Sequence, residues 1–229
     1  ASGEPGRTGR PQASGVAMSA DPILFSFRRC PYAMRARMAL LVSETPVRLR
    51  EVVLRDKPEE MIEVSPKATV PVLLPEEGRV IDESLAIMLW ALERNDPHDW
   101  LDNQQASLDL IREADGGFKD NLDRYKYPTR YEGVDPIEQR DAGVVFLKKL
   151  DEMIAPEGQL LGAEPRLADY AIFPFVRQFA NTDREWFDAL SLPALQKWLE
   201  GHLASDLFAT TMTKYPQWKS GDPEPVFAG

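Results

Sequence analysis

The sequence predicts two halves of different class: a βαβαββα half built on a mixed four-stranded sheet, then an all-α half. Three observations carry this. Short apolar runs alternate with helix-compatible segments as far as residue 95; beyond it no convincing strand pattern returns until the C-terminus; and Asn95-Asp96-Pro97-His98-Asp99 between them has the composition of a connection. Elements that alternate in this way make a sheet with helices on its faces. The expected division is a disordered extension over 1–20, a first domain over 21–95, a linker over 96–102 and a helical domain over 103–229.

Residues 1–20 are rich in Gly, Ser, Pro and Arg without apolar period, hence the expectation of disorder, with Met18 a candidate native start. Ile23 to Phe27 reads as a buried strand. A helix follows over Pro31 to about Ser43, because Pro suits the first helical position and Ala33, Ala36, Leu40 and Leu41 form an inward stripe. Glu44-Thr45-Pro46 ends it. Val47, Leu49 and Glu51 to Leu54 read as a second strand, and Pro58 to Val64 as a short helix that stops before Ser65-Pro66. Val70 to Leu74 and Arg79 to Ile81 read as a third and fourth strand around a turn at Glu77-Gly78. Asp82 or Glu83 then starts a helix ending near Arg94-Asn95. In the second half, helices are expected over Asn103 to about Leu122, Pro136 to Ile154, Leu167 to Ala180 and Pro193 to Ala204. Gly221 to Gly229 reads as a tail that Phe227, with Trp218 before it, is large enough to pin down.

Composition narrows the function classes. A net charge of −10, from 37 acidic against 27 basic residues, disfavours nucleic acid and anionic membrane surfaces as partners. No apolar stretch approaches the roughly 18 residues of a membrane span, and no secretory apolar segment is seen, so the expected location is cytoplasmic. The single cysteine excludes an intramolecular disulfide framework. With His98 and His202 far apart and read as surface or linker residues, no metal site is expected.

That cysteine, Cys30, falls where the first strand gives way to the first helix, in Phe27-Arg28-Arg29-Cys30-Pro31-Tyr32-Ala33-Met34-Arg35. A thiolate there meets free backbone N–H groups, the positive end of the helix and three arginines. Such surroundings lower a thiol pKa from about 8.5 to roughly 3.5–7.5. The competing reading is a buried small hydrophobe.

Taken together, the Cys30-Pro31-Tyr32-Ala33 turn, Thr69-Val70-Pro71-Val72-Leu73, Asp82-Glu83-Ser84-Leu85-Ala86-Ile87 and the all-helical second half resemble the cytosolic glutathione transferases, and most closely their cysteine-type members such as the omega class and the dehydroascorbate reductases. The resemblance spans nearly everything after residue 20. It implies a thioredoxin-like first domain, glutathione as co-substrate, an unknown small electrophile or disulfide as second substrate, and a homodimer. It implies Cys30 as catalytic residue, and a glutathione site comprising Tyr32, Leu54, Lys57, Val70, Pro71, Glu83 and Ser84. In that picture a cis Val70-Pro71 bond frees the Val70 backbone for the cysteinyl part of glutathione, Glu83 and Ser84 meet the γ-glutamyl end, and Lys57 meets the glycyl carboxylate. One departure is visible: Arg166 stands where the family's core helix usually has a Ser or Thr cap, leaving Asp169 without its partner.

The chemistry implied is thiol transfer through a glutathione mixed disulfide, by a monothiol route, since no second cysteine exists. Ser26 and Tyr32 keep conjugation of electrophiles open, and a non-enzymatic interaction protein on the same fold, as in the stringent starvation proteins, is the alternative of another class. Tyr125, Tyr127, Tyr131, Phe118, Arg124 and Arg177 are candidates for the second pocket.

Overall fold

β1 (Ile23–Ser26) and β2 (Val47–Glu51) form the centre of a four-stranded sheet, paired in parallel with Leu24 opposite Leu49 and Ser26 opposite Glu51. The computed structural model describes residues 21–76 and 78–229; the expected disordered extension 1–20 and Glu77 of the expected turn lie outside the described residues. β3 (Val72–Leu74) runs antiparallel to β1, pairing Val72 with Phe25. Period-two alternation then sends successive β1 side chains to opposite faces. Leu24 joins the large core under the helices, whereas Phe25 joins a small core with Val52, Met61, Val70, Val72 and Trp218.

The fourth strand differs from expectation. Arg79 to Ile81 contributes a single antiparallel bridge, Ile81 to Leu73, and the strand that completes the sheet is β4 (Val226–Phe227), antiparallel to β2 with Phe227 opposite Val47. Val80 and Arg79 are exposed and only Ile81 packs against the large core, so the segment holds one bridge and no ladder. The free edge of β2 is covered instead by the C-terminal segment. Glu224 pairs with Arg48 and Arg50, Trp218 stacks on Arg50 at 4.1 Å, and Trp218 N–H donates to the Glu51 carbonyl at 2.9 Å. The expected tail is thus a strap, pinned by both aromatic residues proposed for it.

The first half is completed by α1 (Pro31–Val42), α2 (Glu59–Val64) and α3 (Ser84–Leu92). α1 is buried almost all round rather than along one stripe, because it lies between the sheet, α3 and the helical half. Its two buried arginines are satisfied accordingly. Arg37 donates to Ser26 Oγ at 2.9 Å and to the Thr211 carbonyl at 3.0 Å, and pairs with buried Glu51. Arg35, 1% exposed, donates to the Ala171 carbonyl and grips Asp115 with both terminal nitrogens at 2.9 and 2.6 Å.

The helical half holds α4 (Gln104–Glu113), α5 (Lys119–Lys126), α6 (Pro136–Ile154), α7 (Leu167–Ala180), α8 (Arg184–Asp188), α9 (Pro193–Leu203) and α10 (Asp206–Thr211). The helix expected to end near Leu122 instead passes through a π turn at Ala114–Phe118, where Gly116 takes φ −90°, ψ −110°, and continues to Lys126. That turn presents Asp115 to Arg35. α8 and α10 carry too few residues for a periodic apolar pattern and were not foreseen. Asp135 caps α6 by accepting from Ile137 N–H, as its acidic-Pro start predicts. At α7 Arg166 supplies no cap oxygen, but Asp169 still works alone: it is fully buried and accepts from the N–H groups of Arg166 and Leu160 and from Trp198 Nε1, at 2.8, 3.0 and 2.9 Å. Pro174 lies inside α7 with no N–H to give to the Tyr170 carbonyl, and the neighbouring Ala171 carbonyl accepts from Arg35 Nε.

Candidate active site

The turn after β1 sets the cysteine. Cys30 N–H donates to the Phe27 carbonyl at 2.9 Å, Cys30 takes extended backbone at the cap position, Pro31 opens α1, and Met34 N–H returns to the Cys30 carbonyl at 3.0 Å. This directs the half-buried sulfur toward the segment before β3. Its Sγ lies 3.7 Å from the Val70 carbonyl, the reach of a weak S–H···O hydrogen bond, and the Val70-Pro71 peptide is cis. Val70 itself stands outside the β3 ladder, whose pairing begins at Val72.

The electrostatics of the sulfur differ from expectation. Burial raises the Cys30 thiol pKa above its ordinary value; the N–H groups of Ala33 and Tyr32, then Lys119 and Arg35, pull it down without overcoming that. The helix terminus acts in the expected sense, but the sulfur packs against the small core, and two of the three arginines face elsewhere. Arg28 donates to the Met212 carbonyl at 3.3 Å, Arg29 lies over the Phe27 ring, and Arg35 is held by Asp115. Lys119, the cation that acts most strongly on the sulfur, comes from the helical half, is paired with Asp123 and lies 5.6 Å from the Tyr32 ring. No local motif around Cys30 could have indicated it.

The two hydroxyls separate cleanly. Ser26 Oγ is fully buried and accepts from Arg37, so it belongs to the core network. Tyr32 is half-buried beside Cys30, packed edge-on to Phe175 at 4.8 Å, and burial followed by the charge of Asp115 pushes its hydroxyl up to about 12.

The loop 65–71 connects this end of the site to the start of α3. Ser65 Oγ donates to Asp82 at 3.0 Å, and Lys67 pairs with Glu83 and, at 3.4 Å, with Asp82. Ala68 between them takes φ 52°, unusual for a residue with a Cβ. Glu83 stands at the cap position of α3 with an exposed side chain, and Ser84 is buried in the first turn. The structure therefore brings Cys30, Tyr32, Val70 and Pro71 together and ties Glu83 to the loop before Val70 through Lys67, a residue outside the motifs; Ser84 follows Glu83 in the first turn of α3. Leu54 and Lys57 lie beyond β2: Leu54 is exposed, and Lys57 lines a groove with Asp56, Glu59, Gln217 and Lys219.

The candidates for the second pocket divide by burial. Phe118 and Tyr125 pack against Phe179 in the core, while Tyr127, Tyr131, Arg124 and Arg177 stay half-buried. His98 is exposed in the connection, but His202 is buried among Tyr170, Phe173 and Trp198, contrary to its reading as a surface residue. Its spacing on α9 from Leu195, Trp198 and Leu199 puts it on the buried face, which the helical period could have revealed.

Two family models meet this architecture half by half. The glutathione S-transferase N-terminal domain model matches residues 24–100 and the C-terminal domain model matches residues 128–201. The chain belongs to the glutathione S-transferase superfamily. Solved glutathione transferases share its fold at low identity. One from Pseudomonas putida, with glutathione disulfide bound, has a TM-score of 0.74 at 17% identity, covering 88% of this chain and 95% of that one. One from Pseudomonas fluorescens, with two glutathione bound, has a TM-score of 0.70 at 18% identity, covering 86% and 95%. Glutathione transferase Omega 3C from Trametes versicolor also gives 0.70 at 18%, covering 86% of each chain. No curated protein sequence matches the chain. A superfamily position thus rests on both domain models, and the Cys30 cap with its cis Val70-Pro71 neighbour lies inside the first of them.

Proposed function

We propose that this glutathione S-transferase is a glutathione-dependent thiol transferase or reductase working through Cys30, with glutathione as co-substrate. The observation that carries the reading is the sulfur at the α1 cap, 3.7 Å from the Val70 carbonyl beside the cis Pro71. Val70 would pair with the cysteinyl part of glutathione, Glu83, Ser84 and the free N–H groups of α3 with its γ-glutamyl end, and Lys57 with its glycyl carboxylate; Tyr32 and Leu54 would complete the wall. The glutathione and glutathione disulfide bound in the Pseudomonas structures support this ligand. A homodimer in the cytoplasm is part of the same proposal.

The sequence of steps balances without an outside oxidant. The Cys30 thiol first gives its proton to solvent base; the thiolate attacks the glutathionyl sulfur of a mixed disulfide RS–SG, forming Cys30–S–SG and releasing RS⁻, which takes up a proton. A second glutathione, as thiolate, then attacks that disulfide and leaves as glutathione disulfide, restoring Cys30. Because burial raises the thiol pKa, the rate of the first attack rises with pH through the alkaline range.

The raised thiol pKa favours a second reading. A Cys30 that keeps its proton at neutral pH is a hydrogen-bond donor, and could hold glutathione's own thiolate for conjugation to an electrophile. Cys30→Ser separates the two. Thiol transfer is lost in the serine variant while calorimetric glutathione binding persists; full reductase activity in that variant contradicts the assignment, and retained conjugation with no reductase activity in either protein selects the second reading.

A further inference from the structure

A cavity of about 490 Å³ lies in the helical half, between the C-terminal end of α6 with the loop that follows it and one face of α9. None of the residues placed around Cys30 lines it. Its size is that of a site for a small organic molecule. Tyr170 and Trp198 give it aromatic walls, and Ile154 and Pro165 aliphatic ones. The Trp198 indole N–H is spent on buried Asp169 at 2.9 Å, so that ring offers the cavity only apolar surface.

Two features of the lining are left unused by the fold. The first is His202, 7% exposed and wedged between Tyr170 and Trp198, with ring centroids 5.2 and 4.8 Å away. Its Nε2 lies 3.3 Å from Gln159 Oε1, an oxygen that only accepts, so Nε2 carries the proton and Nδ1 is a bare acceptor. Burial lowers the pKa to about 4, and the ring stays neutral at neutral pH. Nδ1 meets no donor among the described residues. It is also not one of the fully buried polar atoms that lack a partner, Ser107 Oγ, Gln178 Oε1 and Thr211 Oγ1, so it opens onto the cavity that His202 lines. Gln159 Nε2 beside it likewise has no partner among the described residues. The second feature is Gly201, inside α9, where an added Cβ would meet nothing within 4 Å. Glycine inside a helix costs up to about 1 kcal/mol relative to alanine, and neither a turn nor a close approach requires it at this position. Its effect is to leave the cavity open, and a local rule broken without a gain in packing is a mark of a site.

We propose that this cavity binds a hydroxylated aromatic molecule, a phenol, whose O–H donates to His202 Nδ1, whose oxygen accepts from Gln159 Nε2, and whose ring packs against Trp198 and Tyr170. One hydroxyl both donates and accepts, which is what the two side chains ask for. A carboxylate would bring another acceptor to Nδ1, and a plain hydrocarbon would leave that nitrogen buried without a partner. Lys197 also lines the cavity but is exposed, so it adds no buried charge for an anion to meet.

The test compares 2-naphthol with 2-methoxynaphthalene, which has the same rings but no O–H, by fluorescence titration in excess S-hexylglutathione to occupy a glutathione cleft. The wild type binds 2-naphthol about tenfold more tightly, the worth of one buried hydrogen bond. His202→Phe keeps an aromatic ring and removes that preference. Gly201→Leu fills the open space and favours the helix, so it weakens 2-naphthol binding about tenfold or more with no fall in Tm. Equal binding of the two ligands by the wild type, a preference that survives His202→Phe, or unchanged binding in Gly201→Leu overturns the proposal. A second measurement needs no substitution in the site. The chain has two histidines, so labelling the imidazole nitrogens with ¹⁵N gives two sets of signals, assigned by the loss of one set in His98→Gln. 2-Naphthol shifts the unprotonated nitrogen of His202 and leaves exposed His98 unmoved. Binding that leaves the His202 signal in place puts the naphthol elsewhere and overturns the proposal. Neither readout involves Cys30, so failure here and failure of the thiol-transfer reading appear in different experiments.

Discussion

His202 offers a pH dependence whose size and sign follow from its surroundings. The imidazole is enclosed by Tyr170, Phe173 and Trp198, with ring centroids 5.2, 5.2 and 4.8 Å away, and its Nε2 lies 3.3 Å from Gln159 Oε1. Burial lowers its pKa from 6.5 to about 4. Between these values the unfolded chain binds a proton that the folded one refuses, so stability falls as pH falls. The loss starts near pH 6.5, is about 1.4 kcal/mol at pH 5.5 and about 2 kcal/mol at pH 5, and levels off at about 3 kcal/mol below pH 4. Asp169, which shares Trp198 with it, pulls the other way: burial raises its carboxyl pKa, so the folded chain binds that proton more readily and gains stability as pH falls. The comparison is therefore between the wild type and His202→Gln, both of which keep Asp169. Urea unfolding followed by tryptophan fluorescence at pH 7.5, 6.5, 5.5 and 5 gives the difference in stability at each pH. Loss of ring packing shifts all four points equally, whereas the titration narrows the gap by about 2 kcal/mol between pH 7.5 and 5. A gap that stays constant over that range would show that His202 is solvated, and would refute the burial argument.

Three further outcomes follow from other parts of the molecule. Gly143→Ala places a Cβ 2.7 Å from Phe179 Cε2 in the core, so thermal unfolding moves down by the equivalent of about 1–2 kcal/mol despite the better helix propensity of alanine. Glu51→Gln leaves the Arg37 guanidinium buried without a counter-charge, and urea unfolding shows a loss of about 3 kcal/mol or more; a loss below about 1 kcal/mol contradicts the pairing. Iodoacetamide alkylation of Cys30 is slow at neutral pH and rises with pH to an inflection above that of a free thiol, and a rate plateau already reached at pH 7 contradicts the effect of burial.

Much of this architecture was legible because its cues are local. Pro31 after Cys30 and the Asp135-Pro136 start fixed two helices at their first residues, and the order of the motifs in the first half located the cap and the start of α3, whereas the cis Val70-Pro71 bond was implied only by the family resemblance. What stayed hidden depends on tertiary partners. Arg79-Val80-Ile81 has strand propensity but sends only Ile81 to the core, whereas Val226-Phe227 is too short to show a pattern and forms a strand because β2 offers an open edge. The same holds at the site. The turn geometry of Cys30 follows from the sequence, but the packing that raises its pKa, and Lys119 reaching it from another half, follow only from the fold.

The central claim is that the sulfur of Cys30 carries the glutathionyl group between two thiols. Intact-protein mass spectrometry after mixing the protein with a glutathione mixed disulfide tests it directly. One glutathionyl adduct is expected, mapped to Cys30, formed faster as pH rises and removed by reduced glutathione. A protein that turns over the disulfide while Cys30 stays unmodified under single-turnover conditions would contradict it.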